Sequence, residues 1–512
     1  MQATDTHRIF SISEIVALIC DYLEFRDLVN LLAVSRTFFH CASPHVWTEL
    51  SSPQPLVGLL PHVGPDGLFE RVRYPEQLLD QQSLFRFNLY APLVRQITVA
   101  HIEKKTKLAW YFLLGKTPRR PLLPGLRRLV VDIRWCALHE PLEVLMCTLA
   151  LLCSSLVEIS VRPPDDDSIP PHTDAWTEPP LASLLLQNLA QTTPDLERLQ
   201  LRVLSQRQIP YTKSSLFSSL AALRNLRTLH CSTAMIDSPI MLLLSTLPEL
   251  HSLQIDAPAT NQLDYAHYNG NPEYDLSLED LMLPPHSFPG LRHLNIQYLP
   301  CRVVSQLWSS APLVRQLISV HVRFHPDDAV PVDSPVMNST ICDICRAVLI
   351  QLSSTWTLAV GPNVEYLDID LADVTLDDLV LIAQHLPKLQ FLVVDLLPME
   401  WPRDLEKYSI TPSTSTLRLG SRFMFSSQTV LLDLDEDESM EDYINLMAQH
   451  LHTLWPNGIS CEREIDTGDI LEEPDKEYLN SLKSKLKTLN PPGFELPARK
   501  IYEATWLYKH SH

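Results

Sequence analysis

Glycine is scarce in this chain, with 12 glycines among 512 residues against 41 prolines. Loops that bind nucleotide phosphates use glycine so that the backbone can approach the phosphate closely. The sequence also has no P-loop, no G-x-S-x-G elbow and no G-x-G-x-x-G after a predicted strand. These absences argue against a nucleotide-dependent enzyme and against a serine hydrolase. The abundant proline is typical of stiff connections between repeated units.

Long apolar runs and a regular cysteine framework are also absent. No stretch of about 18 apolar residues occurs, so we expect no membrane span, and no secretory leader is visible. The ten cysteines are scattered, and the one C-x-x-C, Cys342 and Cys345, lacks the second pair that structural zinc uses. The sequence therefore predicts reduced thiols, no metal, no cofactor, and a location in the cytoplasm, the nucleus or both.

Basic residues are the charge that is in short supply, with 41 Lys and Arg against 61 Asp and Glu and a net charge of −20. Phosphate contacts need clustered Lys and Arg, so we expect no nucleic-acid partner. Residues 431–480 carry 15 acidic and two basic side chains. Such a region could steer a basic partner, but the simpler interpretation is a solvated C-terminal cap with acidic loops.

The first 50 residues predict three short helices. An apolar stripe with helical spacing defines the first, and it comprises Ile12, Ile15, Val16, Ile19 and Leu23. Ser11 or Ser13 is its predicted N-cap. Asp27 is the predicted cap of the second helix, and the third runs from Ser35 or Arg36 towards Trp47 with a break near Pro44. About forty residues bury too little apolar surface to be robust alone, so these helices are either a docking module or a helical cap on a larger domain.

The order of residues in this stretch resembles an F-box. The resemblance is carried by Ile12-Ser13, Glu14, Asp27-Leu28, Val34-Ser35-Arg36, Phe38-Phe39 and Trp47-Thr48-Glu49-Leu50. Ser13 stands where the family has proline, Ser35 where it has cysteine, and phenylalanine where it has its first tryptophan. The resemblance implies docking onto the Skp-type adaptor of a cullin ligase assembly. The implied adaptor contacts are Ile12, Ser13, Ile15, Ile19, Leu23, Leu28, Leu32, Val34, Ser35 and Trp47.

A second pattern recurs ten times downstream, with an apolar residue followed by others three and five positions later. The triads are Val94-Ile97-Val99, Leu126-Leu129-Val131, Leu156-Ile159-Val161, Leu196-Leu199-Leu201, Leu226-Leu229-Cys231, Leu250-Leu253-Ile255, Leu291-Leu294-Ile296, Leu317-Val320-Val322, Val364-Leu367-Ile369 and Leu389-Leu392-Val394. Six of them follow a proline two positions before the first apolar residue, at 124, 194, 248, 289, 362 and 387.

Each triad predicts a strand, because its last two apolar positions point to the same side. Helical stretches are predicted upstream of most strands, at 141–153, 182–191, 214–223, 238–247, 302–310, 341–352 and 375–385. Strands joined by helical crossovers are parallel, and stacked units form a solenoid. The pattern resembles leucine-rich repeats, but the position of the family's ladder asparagine never holds Asn, and the spacing varies from 24 to 47 residues. A conventional α/β domain with chance matches is the alternative.

The predicted fold class is therefore α/β, an N-terminal three-helix F-box-like module followed by an irregular leucine-rich-repeat-like α/β solenoid. The predicted boundaries are 9–50 for the module, 51–91 for a connector, 92–460 for the solenoid, and 461–512 for an acidic and then basic cap and tail. In the strand YLDIDL, Asp368 and Asp370 alternate with the apolar positions. We expect them to face outward on the sheet, where they could contact a substrate.

The two resemblances together imply a non-enzymatic substrate-recognition adaptor of an SCF-type cullin ubiquitin ligase. Its repeats would hold a protein substrate, of unknown identity, near the ubiquitin-charged enzyme. The alternative is a leucine-rich-repeat-like interaction scaffold with a degenerate F-box and no ligase role. An enzyme hidden in the α/β repeats is a further rival, disfavoured by the missing glycine loops and metal spacings.

Overall fold

The fold is described from a computed structural model. The described residues are 10, 12–60, 84–99, 121–132, 141–162, 179–201, 218–232, 236, 238–256, 282–299, 301–324, 363–374, 376–396, 412–421, 440–463, 473–492 and 494. The chain divides into two compact units, Met1–Leu229 and His230–His512. Cys342 and Cys345 lie outside the described residues. No helix in the described ranges is long and apolar enough to cross a membrane.

Within the described ranges, thirteen strands form one sheet, in which their order follows the chain. They are β1 (Glu49–Leu50), β2 (Gln96–Val99), β3 (Arg128–Asp132), β4 (Glu158–Arg162), β5 (Arg198–Leu201), β6 (Thr228–Ser232), β7 (Ser252–Asp256), β8 (His293–Leu299), β9 (Ser319–Phe324), β10 (Tyr366–Val374), β11 (Phe391–Leu396), β12 (Leu417–Ser421) and β13 (Ile459–Arg463). Neighbours pair in parallel from β1 to β5 in the first unit and from β7 to β13 in the second.

The described ranges also contain thirteen α-helices. They are α1 (Ser13–Cys20), α2 (Phe25–Leu31), α3 (Arg36–Trp47), α4 (Gln54–Val57), α5 (Phe85–Tyr90), α6 (Pro141–Leu151), α7 (Pro179–Thr192), α8 (Ser238–Leu244), α9 (Cys301–Ser309), α10 (Ala311–Val314), α11 (Leu376–His385), α12 (Met440–Leu454) and α13 (Glu473–Leu489). The predicted α/β class with parallel strands is confirmed. The helix predicted at 214–223 is instead a short 3-10 helix, Ser218–Ala222, and the one at 341–352 lies outside the described residues.

The core is built from the predicted apolar triads. All thirty side chains of the ten triads are buried, and none is more than 5% exposed. Burying an aliphatic side chain of this size stabilises the fold by about 1.5–3 kcal/mol before entropy is counted. Three further strands extend the sheet beyond the ten triads, β1 before them and β12 and β13 after them.

The recurring proline has a local structural reason. It occupies the second position of a four-residue turn, where its fixed φ is favourable. The turn is closed by a main-chain hydrogen bond onto the first apolar residue of the triad. Leu126 N donates to Leu123 O (3.1 Å), Leu196 N to Thr193 O (3.2 Å) and Leu291 N to Phe288 O (3.2 Å). The turn therefore directs the chain from the helical side into the next strand.

A main-chain carbonyl before most of the strands connects one repeat to the next. Thr48 O accepts from both Arg95 N (2.8 Å) and Gln96 N (2.9 Å), and Arg95 O in turn accepts from Arg127 N (2.7 Å) and Arg128 N (2.9 Å). The same double acceptance recurs at Arg127, Val157, Glu197, His251, Arg292, Ile318 and Glu365. We call these bonds the carbonyl ladder. They join neighbouring turns without the asparagine side chain of regular repeats.

Three predicted features of the N-terminal helices are corrected. Helix α1 follows Ile12 with no side-chain cap, and Ser13 Oγ donates to Glu14 Oε2 (3.1 Å) instead. Helix α2 begins at Phe25 after Glu24, so Asp27 lies inside its first turn rather than capping it. Helix α3 continues through Pro44, and the carbonyl that loses its partner there belongs to the exposed His40. Helix α3 begins at Arg36, one of its two predicted starts, and Ser35 caps it by accepting from Phe38 N (3.3 Å).

Gly125 shows how tightly the proline turns approach one another. A Cβ at this position would lie 2.5 Å from Pro92 O and 2.7 Å from Arg95 Nη1. Arg95 Nη1 also donates to Gly125 O (3.0 Å), so moving the guanidinium away would break this hydrogen bond.

We expect Gly125→Ala to lower the free energy of unfolding by about 1–3 kcal/mol, because a backbone carbonyl must shift to admit the methyl group. Gly58→Ala is the matched control, since a Cβ there meets no atom closer than 3.5 Å and the backbone is helical. Urea unfolding followed by circular dichroism measures both. Equal stability of the two variants would contradict the close approach.

The last strand is closed by a side chain. Asn490, just after α13, accepts from Ile459 N (2.9 Å) and donates through Nδ2 to Ile459 O (2.8 Å). These are the bonds that a further parallel strand would make with the outer edge of β13.

Asn490→Leu should therefore lower the free energy of unfolding by about 1–2 kcal/mol, because both main-chain groups of the buried Ile459 lose a partner. Asn490→Asp keeps the acceptor and loses the donor, so we expect an intermediate loss. Hydrogen exchange at the Ile459 amide gives a local readout. Faster exchange in the Leu variant than in the Asp variant is expected, and the reverse order would count against the edge cap.

Candidate docking surface and polar strip

The N-terminal helices pack around a small core of their own. Its buried members are Val16, Cys20, Leu28, Ala42 and Val46. They come from all three helices, so α1, α2 and α3 form one packed module. Burial raises the pKa of the Cys20 thiol, with smaller contributions from Cys41 and Asp21.

The same module carries an unusual number of apolar side chains outside that core. Fourteen large apolar side chains are exposed in the described part of the chain, and eight of them fall within 25 consecutive residues. These eight, the exposed apolar set, are Phe10, Ile12, Ile15, Leu18, Tyr22, Phe25, Val29 and Val34, and their exposed fractions run from 36% to 84%. Single exposed apolar residues are normal on a monomer, whereas a concentration of them marks an interaction surface.

The module is joined firmly to the first strands of the sheet. The Trp47 ring stacks on Tyr90 with centroids 4.4 Å apart, and Phe39 lies 6.0 Å from the same ring. Thr48 is the only residue between α3 and β1, and its carbonyl is the first member of the carbonyl ladder. The orientation of the module relative to β1 and β2 is therefore constrained by both side-chain and main-chain contacts.

The ten predicted adaptor contacts fall into three groups. Five are exposed, namely Ile12, Ser13, Ile15, Val34 and Ser35. Four are half-buried, namely Ile19, Leu23, Leu32 and Trp47. Leu28 is buried in the module core. Ser35 also caps α3 and Trp47 stacks on Tyr90, so both residues have a structural role as well.

Five exposed apolar residues were absent from that prediction, namely Phe10, Leu18, Tyr22, Phe25 and Val29. The last four lie on α1, in the turn after it and on α2, so no single helix carries them as a stripe. They are easily overlooked, because the apolar stripe of α1 already accounts for that helix's part of the module core.

A second cluster lies on the sheet face of the second unit, opposite the apolar triads. Its side chains alternate with the core positions of β6 to β10. We call it the polar strip, and its members are His230, Gln254, Asp256, Asn295, Gln297, His321, Tyr366 and Asp368. All are less than 9% exposed except His321, which is half-buried. The strand register places Asn295 between Gln254 and His321, and Asp368 beside His321.

Two carboxylates in the polar strip have defined partners. Asp256 Oδ2 accepts from His230 Nε2, and its Oδ1 accepts from Gln254 Nε2 (3.1 Å). Asp368 Oδ2 accepts from His321 Nδ1 (2.7 Å) and from Tyr366 Oη (3.3 Å). Burial raises the pKa of the Cys231 thiol on the core side of β6, and the charge of Asp256 raises it further.

The structure describes the side chain of one of the two residues predicted to contact a substrate. Asp368 lies on the predicted sheet face, but it is buried and accepts a hydrogen bond from His321. It is therefore not an ordinary solvent-exposed charge. Asp370 pairs with Arg323 in the register of β9 and β10, and its side chain lies outside the described residues. No group of three His, Cys, Asp or Glu within the described ranges could hold a metal ion.

Comparisons with known proteins give little further information. No protein-family model matches the chain, and no curated protein matches it. One chain of the solved structure described as the crystal structure of the Rad7 and Elc1 complex in yeast is similar at 14% identity and a TM-score of 0.31. That similarity covers 93% of this chain and 97% of the other. It is too weak to carry an argument about function.

Two residues of α1 test the division between core and surface. Val16→Ala should lower the free energy of unfolding of the module by about 2 kcal/mol, because Val16 is fully buried. Leu18→Ala should change it by less than about 0.5 kcal/mol, because Leu18 is 59% exposed. Limited proteolysis of residues 10–50 reports the difference. Equal protection of the two variants would show that Leu18 belongs to the core.

Proposed function

We propose that this chain is a substrate-recognition adaptor of an SCF-type cullin ubiquitin ligase. The N-terminal module is an F-box that binds the Skp-type adaptor, and the sheet binds a protein substrate. The observation that carries the proposal is the exposed apolar set, on a small helical module whose residue order resembles an F-box.

The chemistry of the exposed apolar set supports a protein partner. Its side chains are aliphatic and aromatic, and a buried aliphatic or aromatic anchor commonly dominates binding energy at a protein interface. Ser35 stands where the F-box family has cysteine, and this difference is compatible with folding because the Ser35 side chain caps α3.

The proposed mechanism is proximity, with no bond chemistry by this chain. A substrate bound to the sheet shares one assembly with the ubiquitin-charged enzyme, so the effective concentration of its lysines near the thioester rises. The His321–Asp368 pair is not joined to a serine nucleophile at Ser319, whose Oγ has no hydrogen-bond partner within the described residues. This observation favours binding over hydrolysis at the polar strip.

The anchoring of the module to the sheet fits a presenting role. Trp47, Thr48 and Tyr90 hold the module against β1 and β2. A bound adaptor would therefore keep a constant position relative to β1 and β2.

The test is co-expression of the full chain with a Skp-type adaptor, followed by a binding measurement on the purified complex. The double variant Ile12→Asp, Ile15→Asp should weaken binding at least about a hundredfold, since two charges would lie in an apolar interface. Both side chains are exposed in the free chain, at 43% and 36%, so its folding should be unaffected.

The matched control is Met146→Asp, Leu184→Asp, on α6 and α7 of the same unit. These side chains are 46% and 39% exposed, which is comparable to the test pair. The control should bind the adaptor as the wild type does. No complex at micromolar concentration, or an equal loss in the control, would reject the ligase proposal and leave the interaction scaffold.

A further inference from the structure

Three amide groups in the polar strip are buried with an unpaired atom. Gln254 Oε1 and Asn295 Oδ1 have no donor, and Gln297 Nε2 has no acceptor, within the described residues. The three side chains are only 5%, 3% and 6% exposed. A buried polar atom without a partner costs stability, so native structures usually satisfy such an atom with protein, an ordered water or a bound ligand. Three of them on two adjacent strands form a cluster that we call the amide triad.

The surroundings of the amide triad indicate the kind of group it would bind. The carboxylates on either side, Asp256 and Asp368, already accept hydrogen bonds from His230, Gln254, His321 and Tyr366. The three unpaired amide atoms are neutral, two acceptors and one donor, and the unpaired Ser319 hydroxyl on β9 adds a fourth neutral group within the described residues. Neutral N–H and C=O groups complement them better than a cationic side chain does.

The spacing of Asn295 and Gln297 matches one edge of an extended peptide, and Gln254 lies beside Asn295 on the neighbouring strand. Asn295 and Gln297 lie two residues apart on β8, and Gln254 is in register with Asn295 on β7. Two residues along a strand span about 7 Å, and adjacent strands lie about 4.8 Å apart. An extended segment presents the main-chain groups of one edge at the same two-residue interval.

We propose that the amide triad binds the main chain of an extended segment of a protein partner. Gln254 Oε1 and Asn295 Oδ1 accept from its N–H groups, and Gln297 Nε2 donates to one of its carbonyls. The inference rests on the proposed function, in which that segment belongs to the substrate. Because the triad is buried in the free chain, binding includes local opening of the polar strip.

The first arm of the test needs no ligand. Asn295→Leu keeps the side-chain shape and removes the unpaired oxygen, so we expect the Tm of the free protein to rise by about 1–3 °C. Gln316→Leu is the matched control, because Gln316 Oε1 accepts from Arg292 Nη1. That variant should have a lower Tm. A fall in Tm for Asn295→Leu would mean that its amide is already paired, and would overturn the proposal.

The second arm uses random twelve-residue peptides displayed on phage and selected on the purified full chain. Synthetic copies should bind Asn295→Leu at least tenfold more weakly than wild type, and Gln316→Leu equally well. Methylation of one or two backbone nitrogens should cause a similar loss, while replacing Lys or Arg by norleucine should not. The proposal is overturned if no peptide is selected, if binding tolerates every N-methylation, or if it depends on a cationic side chain.

The two arms are separate from adaptor docking. Adaptor binding is measured through the Ile12 and Ile15 variants, and peptide binding is measured without any adaptor. If the chain binds the adaptor but no peptide, the proposed function is supported and the proposal for the amide triad is rejected. If the chain binds a peptide but not the adaptor, the peptide site is supported and the ligase proposal is rejected.

Discussion

The carbonyl ladder is the constraint on which the rest of this fold depends. At nine strand starts among the described residues, one main-chain oxygen accepts from two N–H groups of the next repeat. A main-chain acceptor is available whatever the side chain, and the ladder accordingly passes through Thr48, Arg127, Val157, Glu197 and Ile318. Regular repeats use an asparagine for contacts of this kind and therefore conserve a residue. Here the chain needs only a turn of the right shape, which proline at its second position favours.

This constraint explains which parts of the fold could be predicted from the sequence. Core burial follows a local period, so triads such as Leu253-Ile255 were identifiable from their spacing. Strands β12 and β13 escaped the triad pattern because Thr414 and Pro456 occupy their first positions. There, Ser415 Oγ donates to Leu389 O (2.7 Å), so a side chain contributes to the contact between turns.

The candidate sites were less accessible to sequence reasoning. The period of α1 identifies an apolar stripe, but only the packing of Ala42 and Val46 from α3 decides that Val16 is core and Ile15 is surface. That contact joins residues almost 30 positions apart. The polar strip was hidden for a related reason. Polar residues at alternate strand positions ordinarily face water, and the burial of Gln254, Asn295 and Asp368 arises from tertiary structure.

A parallel sheet of this kind has no intrinsic length, because every added strand offers the same open edge as the last. Exposed edges recruit strands from other molecules, which is a route to aggregation. Asn490 supplies the donor and the acceptor of a missing strand from a single amide, at Ile459. At the β13 end of the described sheet, one side chain thus takes the place of a further strand at Ile459, and it lowers the tendency of that edge to pair with another molecule.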